Sequence, residues 1–137
     1  MESLEDMKDR SANVTIGGKD YPLIMTTKAT KEIAKRYGGL DVLGEKLMKA
    51  ETFDEAIGEV VWLIALLANQ AILIQNFQNR DNQKGQAQIL TEDEIELMTT
   101  PADMVTFKEA ITEAMVRGTK RHIESEDEEN EKNPEGA

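Results

Sequence analysis

The chain has 137 residues, 39% of them hydrophobic, 31% charged and only 4% aromatic, with a formal net charge of −11. That length is one domain's worth, with enough apolar material for an aliphatic core that includes methionine. Cysteine is absent, which excludes disulfides, thiol catalysis and cysteine-ligated metal, and so acidic a chain repels phosphate backbones unless it imitates one.

The first ten residues are charged throughout and contain no apolar signal core, so residues 1–12 read as a flexible lead-in. From Asn13 to Met25, two alternating apolar runs surround Gly17-Gly18, the pattern of a β-hairpin. Val14 and Ile16 share one face, as do Tyr21, Leu23 and Met25. Pro22 lacks an N–H, so the second strand is an edge or begins after it. A lone hairpin is marginal in water, so this one must rest on helices.

A first helix, capped by Thr26 or Thr27, carries Ala29, Ile33 and Tyr37 on one face and stops at Gly38-Gly39. A second carries Leu40, Leu43 and Leu47. A third opens with a capping box from Thr52 to Glu55 and runs from Phe53 to about Gln78. Residues 79–88, rich in Asn, Gln, Gly and Lys, read as a loop. Thr91 and Glu94 form another capping box, with Leu90 and Ile95 placed as a hydrophobic staple. Thr100-Pro101 then starts a helix with the stripe Met104, Phe107, Ile111, Ala114 and Met115, weakening at Gly118. The expected fold is mainly α with a short N-terminal β-hairpin: a small helical bundle over residues 13–123 and a disordered acidic C-terminal tail over 124–137. That tail holds seven acids against a single base, Lys132, so it carries six of the eleven net negative charges.

The third helix is the informative one. At about 100° per residue, Ile57, Val60, Ile64, Leu67 and Ala71 share a core-facing side. Glu55, Glu59, Asn69 and Gln70 lie opposite, as a solvent face would. The same polar side also carries Trp62, Leu66, Leu73 and Phe77. Either the helix is central and its own chain covers both sides, or this second face meets another protein, a copy of itself or a client. The apolar run from Val60 to Ile74 is shorter than the roughly 18–20 residues a bilayer span needs, so no membrane is expected.

Catalytic and metal-binding signatures are lacking, so the chain reads as a non-enzyme with no cofactor and no metal. His122 has no partner residues of metal-ligand or nucleophile spacing, and a contact with a helix C-terminus explains it. Gly17-Gly18 lacks the Gly-Lys-Ser/Thr ending of a phosphate loop. Glu92, Asp93, Glu94 and Glu96 suit a helix start and lack calcium-loop spacing. Arg117, Lys120 and Arg121, which precede the acidic tail, suit a helix end, or a weak salt-screened electrostatic latch, intramolecular or client-facing.

The hairpin Val14-Thr-Ile-Gly-Gly-Lys-Asp-Tyr-Pro-Leu, followed by Thr27-Lys-Ala-Thr-Lys-Glu-Ile-Ala-Lys-Arg-Tyr-Gly and the Leu40–Leu43 spacing, resembles the N-terminal part of tail assembly chaperones of long-tailed bacteriophages and prophages. The likeness spans about Asn13 to Ala68. It implies a non-enzymatic helper that keeps the tape measure protein soluble and helps recruit tail tube protein, working in the host bacterial cytoplasm and leaving before the virion is complete. It also implies a longer form made by ribosomal frameshifting. Glu131-Lys132-Asn133 fits, because GAA AAA AAC contains the slippery run A AAA AAC. On this reading Trp62, Leu66, Leu73 and Phe77 contribute the partner-binding face, for a client, for a homo-oligomer, or for both. Met7, Met25, Met48, Met98, Met104 and Met115 either adapt that surface to varied stripes or simply fill core. An acidic DNA-mimic inhibitor and a structural virion connector are the alternatives. With over half the charge excess in the tail, the mimic has little negative charge left for a folded surface.

Overall fold

The structure, a computed structural model, describes residues 4–9, 11–48 and 53–131. Six helices and one two-stranded antiparallel sheet follow the order α1 (Leu4–Asp9), β1 (Ala12–Ile16), β2 (Lys19–Leu23), α2 (Thr27–Tyr37), α3 (Leu40–Met48), α4 (Phe53–Gln78), α5 (Glu92–Leu97) and α6 (Pro101–Glu131). The fold is mainly α with an N-terminal hairpin, as the periodicities predict. Helix α1 is a difference: residues 4–9, expected to be part of a flexible lead-in, are helical. Leu4 is buried there beside Ile24 and Ala71, with Met7 and Ile74 packed on them. One leucine on a short charged segment gave the sequence pattern too little to register.

In the hairpin, Ala12 pairs with Leu23 and Ile16 with Lys19. Gly17 and Gly18 both have positive φ, 60° and 79°, as a two-residue turn matching the strand twist requires. Ala12, Val14 and Ile16 point inward and Asn13 and Thr15 outward. The hairpin lies on helices, β2 against α4 and β1 against α6.

Thr26 caps α2, its Oγ1 accepting from the Ala29 N–H at 3.0 Å. Gly38, at φ 93°, ends the helix by donating its N–H to the Ala34 carbonyl. Ala29, Ile33 and Tyr37 are buried, as is Leu43 of α3. Thr52 of the proposed capping box lies outside the described residues. The Thr91–Glu94 box is present in full, and the staple pair Leu90 and Ile95 is buried.

Helix α4 is the axis of the molecule. Val60, Val61, Leu63, Ile64, Leu67 and Ala68 are each 3% exposed or less and join Phe107, Ile111 and Ala114 of α6 in one core. The apolar run that falls short of a bilayer by its own length sits in a longer helix. Glu55–Gln78 is long and apolar enough to cross a membrane by length and composition, and half of its most apolar stretch is buried inside this fold.

Helix α6 continues to Glu131, past Glu124, where composition alone places the start of a disordered tail. Its Glu, Lys and Arg residues are good helix formers, and no proline interrupts the run before Pro134. Residues 132–137, including two of the three in Glu131-Lys132-Asn133, lie outside the described residues, as do the side chains of His122, Lys120 and Arg121. Gly118 marks a close approach rather than a weak point: a Cβ there would stand 2.9 Å from the Met25 Cβ. Arg117 ties α6 to the start of β1, donating from Nη1 to the Ser11 carbonyl at 2.8 Å and pairing with Glu113. That arrangement engages Arg117 within the fold.

Candidate functional site

Along one side of α4 runs an open groove of about 440 Å³. Its floor is Trp62, Ala65, Leu66 and Leu73, all half-buried. One wall is α2, with Lys28 and Glu32, and the other is the segment from Ile89 to Glu92. Trp62, Leu66, Leu73 and Phe77 fall within an arc of about 60° on α4, so the helix itself aligns them. The structure brings the first three into the groove. Phe77 lies one turn beyond, 67% exposed, with the Arg80 guanidinium 4.7 Å from its ring centre. Ile89, which the periodicity of α4 could not identify, is 47% exposed on the facing wall.

What holds the walls apart is the polar pair that sequence reasoning assigned to solvent. Asn69 and Gln70 are buried, 6% and 3% exposed. Asn69 donates from Nδ2 to the Leu90 carbonyl and accepts the Leu90 N–H at Oδ1, both at 2.8 Å. Gln70 donates from Nε2 to the Leu66 carbonyl at 2.9 Å, and its Oε1 accepts from the Thr26 hydroxyl at 2.6 Å. Asn69 therefore anchors one wall and Gln70 the other, through the N-cap of α2. Buried amides need such partners, since a missing one costs about 1–3 kcal/mol. Seven residues further on, Asn76 repeats the device, exchanging two hydrogen bonds with the backbone of Ala87. The stretch 86–90, whose first half was expected to be loop, is thus laid antiparallel along α4.

The end of the groove at Trp62 is built from a four-residue cluster. The Arg36 guanidinium stacks 4.4 Å from the Trp62 ring centre, and the Tyr37 ring meets Trp62 edge-on at 5.9 Å. Arg36 Nε lies 3.5 Å from Glu59 Oε2, and the Tyr37 hydroxyl donates to that same carboxylate. Burial, then the hydrogen bond to Glu59, pushes the Tyr37 hydroxyl well above its ordinary pKa, so it stays a proton donor. Glu59, expected on the solvent face with Asn69 and Gln70, is instead 20% exposed and engaged with α2. The physical reason is shared: Glu59, Asn69 and Gln70 each satisfy a group on a neighbouring element, leaving the apolar side chains between them only half covered.

The described methionines lie elsewhere, Met98 43% exposed. Met104 is in the core, Met115 and Met25 pack against it, Met98 abuts the Gly17 turn, and none lines the groove. The side chain of Met48 lies outside the described residues. Among the described residues no three His, Cys, Asp or Glu side chains converge as metal ligands would. A second, smaller crevice of about 200 Å³ lies between α4 and the α5–α6 junction, lined by Ile57, Val61, Thr99 and Met104. The chain matches no protein-family model, no curated protein and no solved structure.

Proposed function

We propose that this protein is a non-enzymatic tail assembly chaperone of a long-tailed phage or prophage, whose α4 groove receives an amphipathic helical stripe of the tape measure protein. Two things support the reading. The residues that carry the resemblance form the expected hairpin followed by a capped, glycine-terminated helix. The observation that carries most weight is the open apolar floor of Trp62, Leu66 and Leu73 between two walls pinned by Asn69 and Gln70.

Helix-in-groove docking explains why these side chains are left half-buried. Because these anchors are already half-buried, withdrawing the rest of each contributes about half of the roughly 1.5–3 kcal/mol of full burial, against a cost of association of several kcal/mol. A few anchors therefore give reversible binding, which suits a helper that must let its client go. The acidic chain would keep the crowded complex soluble by like-charge repulsion. In this reading the protein works in the host cytoplasm, helps recruit tail tube subunits, and is absent from the finished particle.

Co-expression with a phage tape measure protein tests the proposal. Wild type should hold that client in the soluble fraction, and Trp62→Ala with Leu66→Ser should lose it. Both residues also touch the core, so Ile89→Glu on the exposed wall serves as a second variant expected to fold normally. A folded Ile89→Glu protein that solubilises the client as well as wild type would overturn the assignment.

A further inference from the structure

We infer that the solvent face of α2 receives the acidic segment 124–131 of a second copy of this chain, the two helices lying antiparallel. The core takes Ala29, Ile33 and Tyr37 of α2. The opposite side carries Lys28, Lys31 and Lys35, all exposed and within an arc of about 60°. Among the described residues no carboxylate pairs with Lys28 or Lys31, and Lys35 has one exposed partner, Glu32, at 3.7 Å. Glu32 and Arg36 lie on the groove side of this stripe, so α2 holds four cations against one acid in a chain of net charge −11. The next helix, α3, mixes Asp41 and Glu45 with Lys46, so the cationic surface is that of α2 alone.

The chain itself supplies the matching row. Residues 124–131 hold six carboxylates and no base. Like charges three and four apart weaken a helix, and carboxylates at its C-terminus oppose its dipole, yet α6 is helical to Glu131. A row of cations offsets both costs. Glu124, Glu128 and Glu131 are spaced four and then three apart; Lys35, Lys31 and Lys28, taken in the opposite direction, have the same spacing. Antiparallel helices therefore set Lys35 opposite Glu124, Lys31 opposite Glu128 and Lys28 opposite Glu131. Helix α5 offers no such row: Glu92 and Glu96 share a face, but the next position along it is Thr99.

The direction of α6 makes this a pairing between copies. Thr26 bonds Gln70 and Arg36 stacks on Trp62, so α2 runs antiparallel to α4. Met104 shares a crevice with Ile57 and Val61 of α4. Gly118 lies against Met25, next to Ile24, whose N–H donates to the Leu67 carbonyl. Helix α6 therefore runs parallel to α4, and past Gly118 it heads away from the α2 of its own chain. A continuous helix cannot turn back onto that face. It can reach the α2 of a neighbour displaced along the helix axis, whose own segment 124–131 stays free, so the assembly is head-to-tail and open. Exposed ion pairs contribute little each and the whole molecules repel, so the association is weak.

The test mixes equal amounts of unlabelled and isotope-labelled full-length chain and adds a carbodiimide, which joins a lysine amine directly to an adjacent carboxylate. At about 0.15 M salt the Debye length of about 8 Å screens repulsion between whole molecules more than contacts at the interface. Mass spectrometry should find Lys28, Lys31 and Lys35 linked to residues 124–131 in peptides that combine a light and a heavy copy. Those links should fall about tenfold at about 1 M salt, as three exposed ion pairs would. Lys28→Glu, Lys31→Glu and Lys35→Glu together should abolish association, as should Glu124→Lys, Glu128→Lys and Glu131→Lys. A mixture of the two charge-reversed chains should sediment faster than either alone. Trp62 emission like that of wild type shows that both variants are folded, and none of these readouts depends on a client in the groove. Links confined to one copy would overturn the inference. So would links of the same lysines to Glu92, Asp93 or Glu96, equal linking of the segment to Lys19, Lys46 or Lys108, or no salt-sensitive link between copies.

Discussion

Arg36 does more for the groove than any residue that lines it. Its guanidinium covers one face of Trp62 and reaches both the Tyr37 hydroxyl and the Glu59 carboxylate, so the tryptophan is held in place by its own chain. Arg36→Ala removes the stack and leaves Glu59, 20% exposed, without this cation. Denaturant titration should show a loss of about 1–2 kcal/mol, with Trp62 emission shifted to the red. Tyr37 makes a second prediction. Its hydroxyl is held protonated in the folded chain, while an unfolded tyrosine loses its proton near the ordinary value of 10.0. The stability it contributes is therefore whole below about pH 10 and drains away as pH rises above it. Stability measured from pH 9 upward should fall less steeply in Tyr37→Phe than in wild type; equal slopes would show that the buried phenol is not the group responsible.

At the scale of elements, the amide clamps on α4 decide whether the second wall exists. Asn69→Ala strands the buried N–H and carbonyl of Leu90 and should cost about 1–3 kcal/mol. Asn76→Ala, whose bonds to Ala87 are exposed, should cost less than about 1 kcal/mol and speed amide exchange over residues 86–88. Gly118→Ala tests the close approach of α6 to Met25. Alanine favours a helix by about 1 kcal/mol over glycine, yet here the new Cβ would press on the Met25 Cβ, so thermal denaturation should show net destabilisation. Local patterns were legible in the sequence: the glycine turn, an N-cap at Thr26 or Thr27 that the structure places at Thr26, the stop at Gly38, the Thr91–Glu94 box and the length of α4. The stripe of Trp62, Leu66 and Leu73 was legible too, because it depends on helical period alone. Ile89 was not, and neither were the buried roles of Glu59, Asn69 and Gln70. Each depends on which distant backbone or side chain arrives beside it, and period carries no information about that.

For the molecule as a whole, the groove reconciles two readings of α4 that the sequence left as rivals. Its own chain covers most of the helix, with the hairpin and α6 burying Val60, Val61, Ile64 and Leu67. The remaining stripe is neither sheathed nor fully bare: its flanking polar residues hold two walls open beside it. We propose this opening as the place where a partner helix docks. Hydrogen–deuterium exchange on the full chain, with and without the co-expressed client, tests it most directly. New protection is expected in residues 62–73 and 86–92. Protection confined instead to the crevice at Thr99 and Met104, or no change along α4 while the client stays bound, would contradict it.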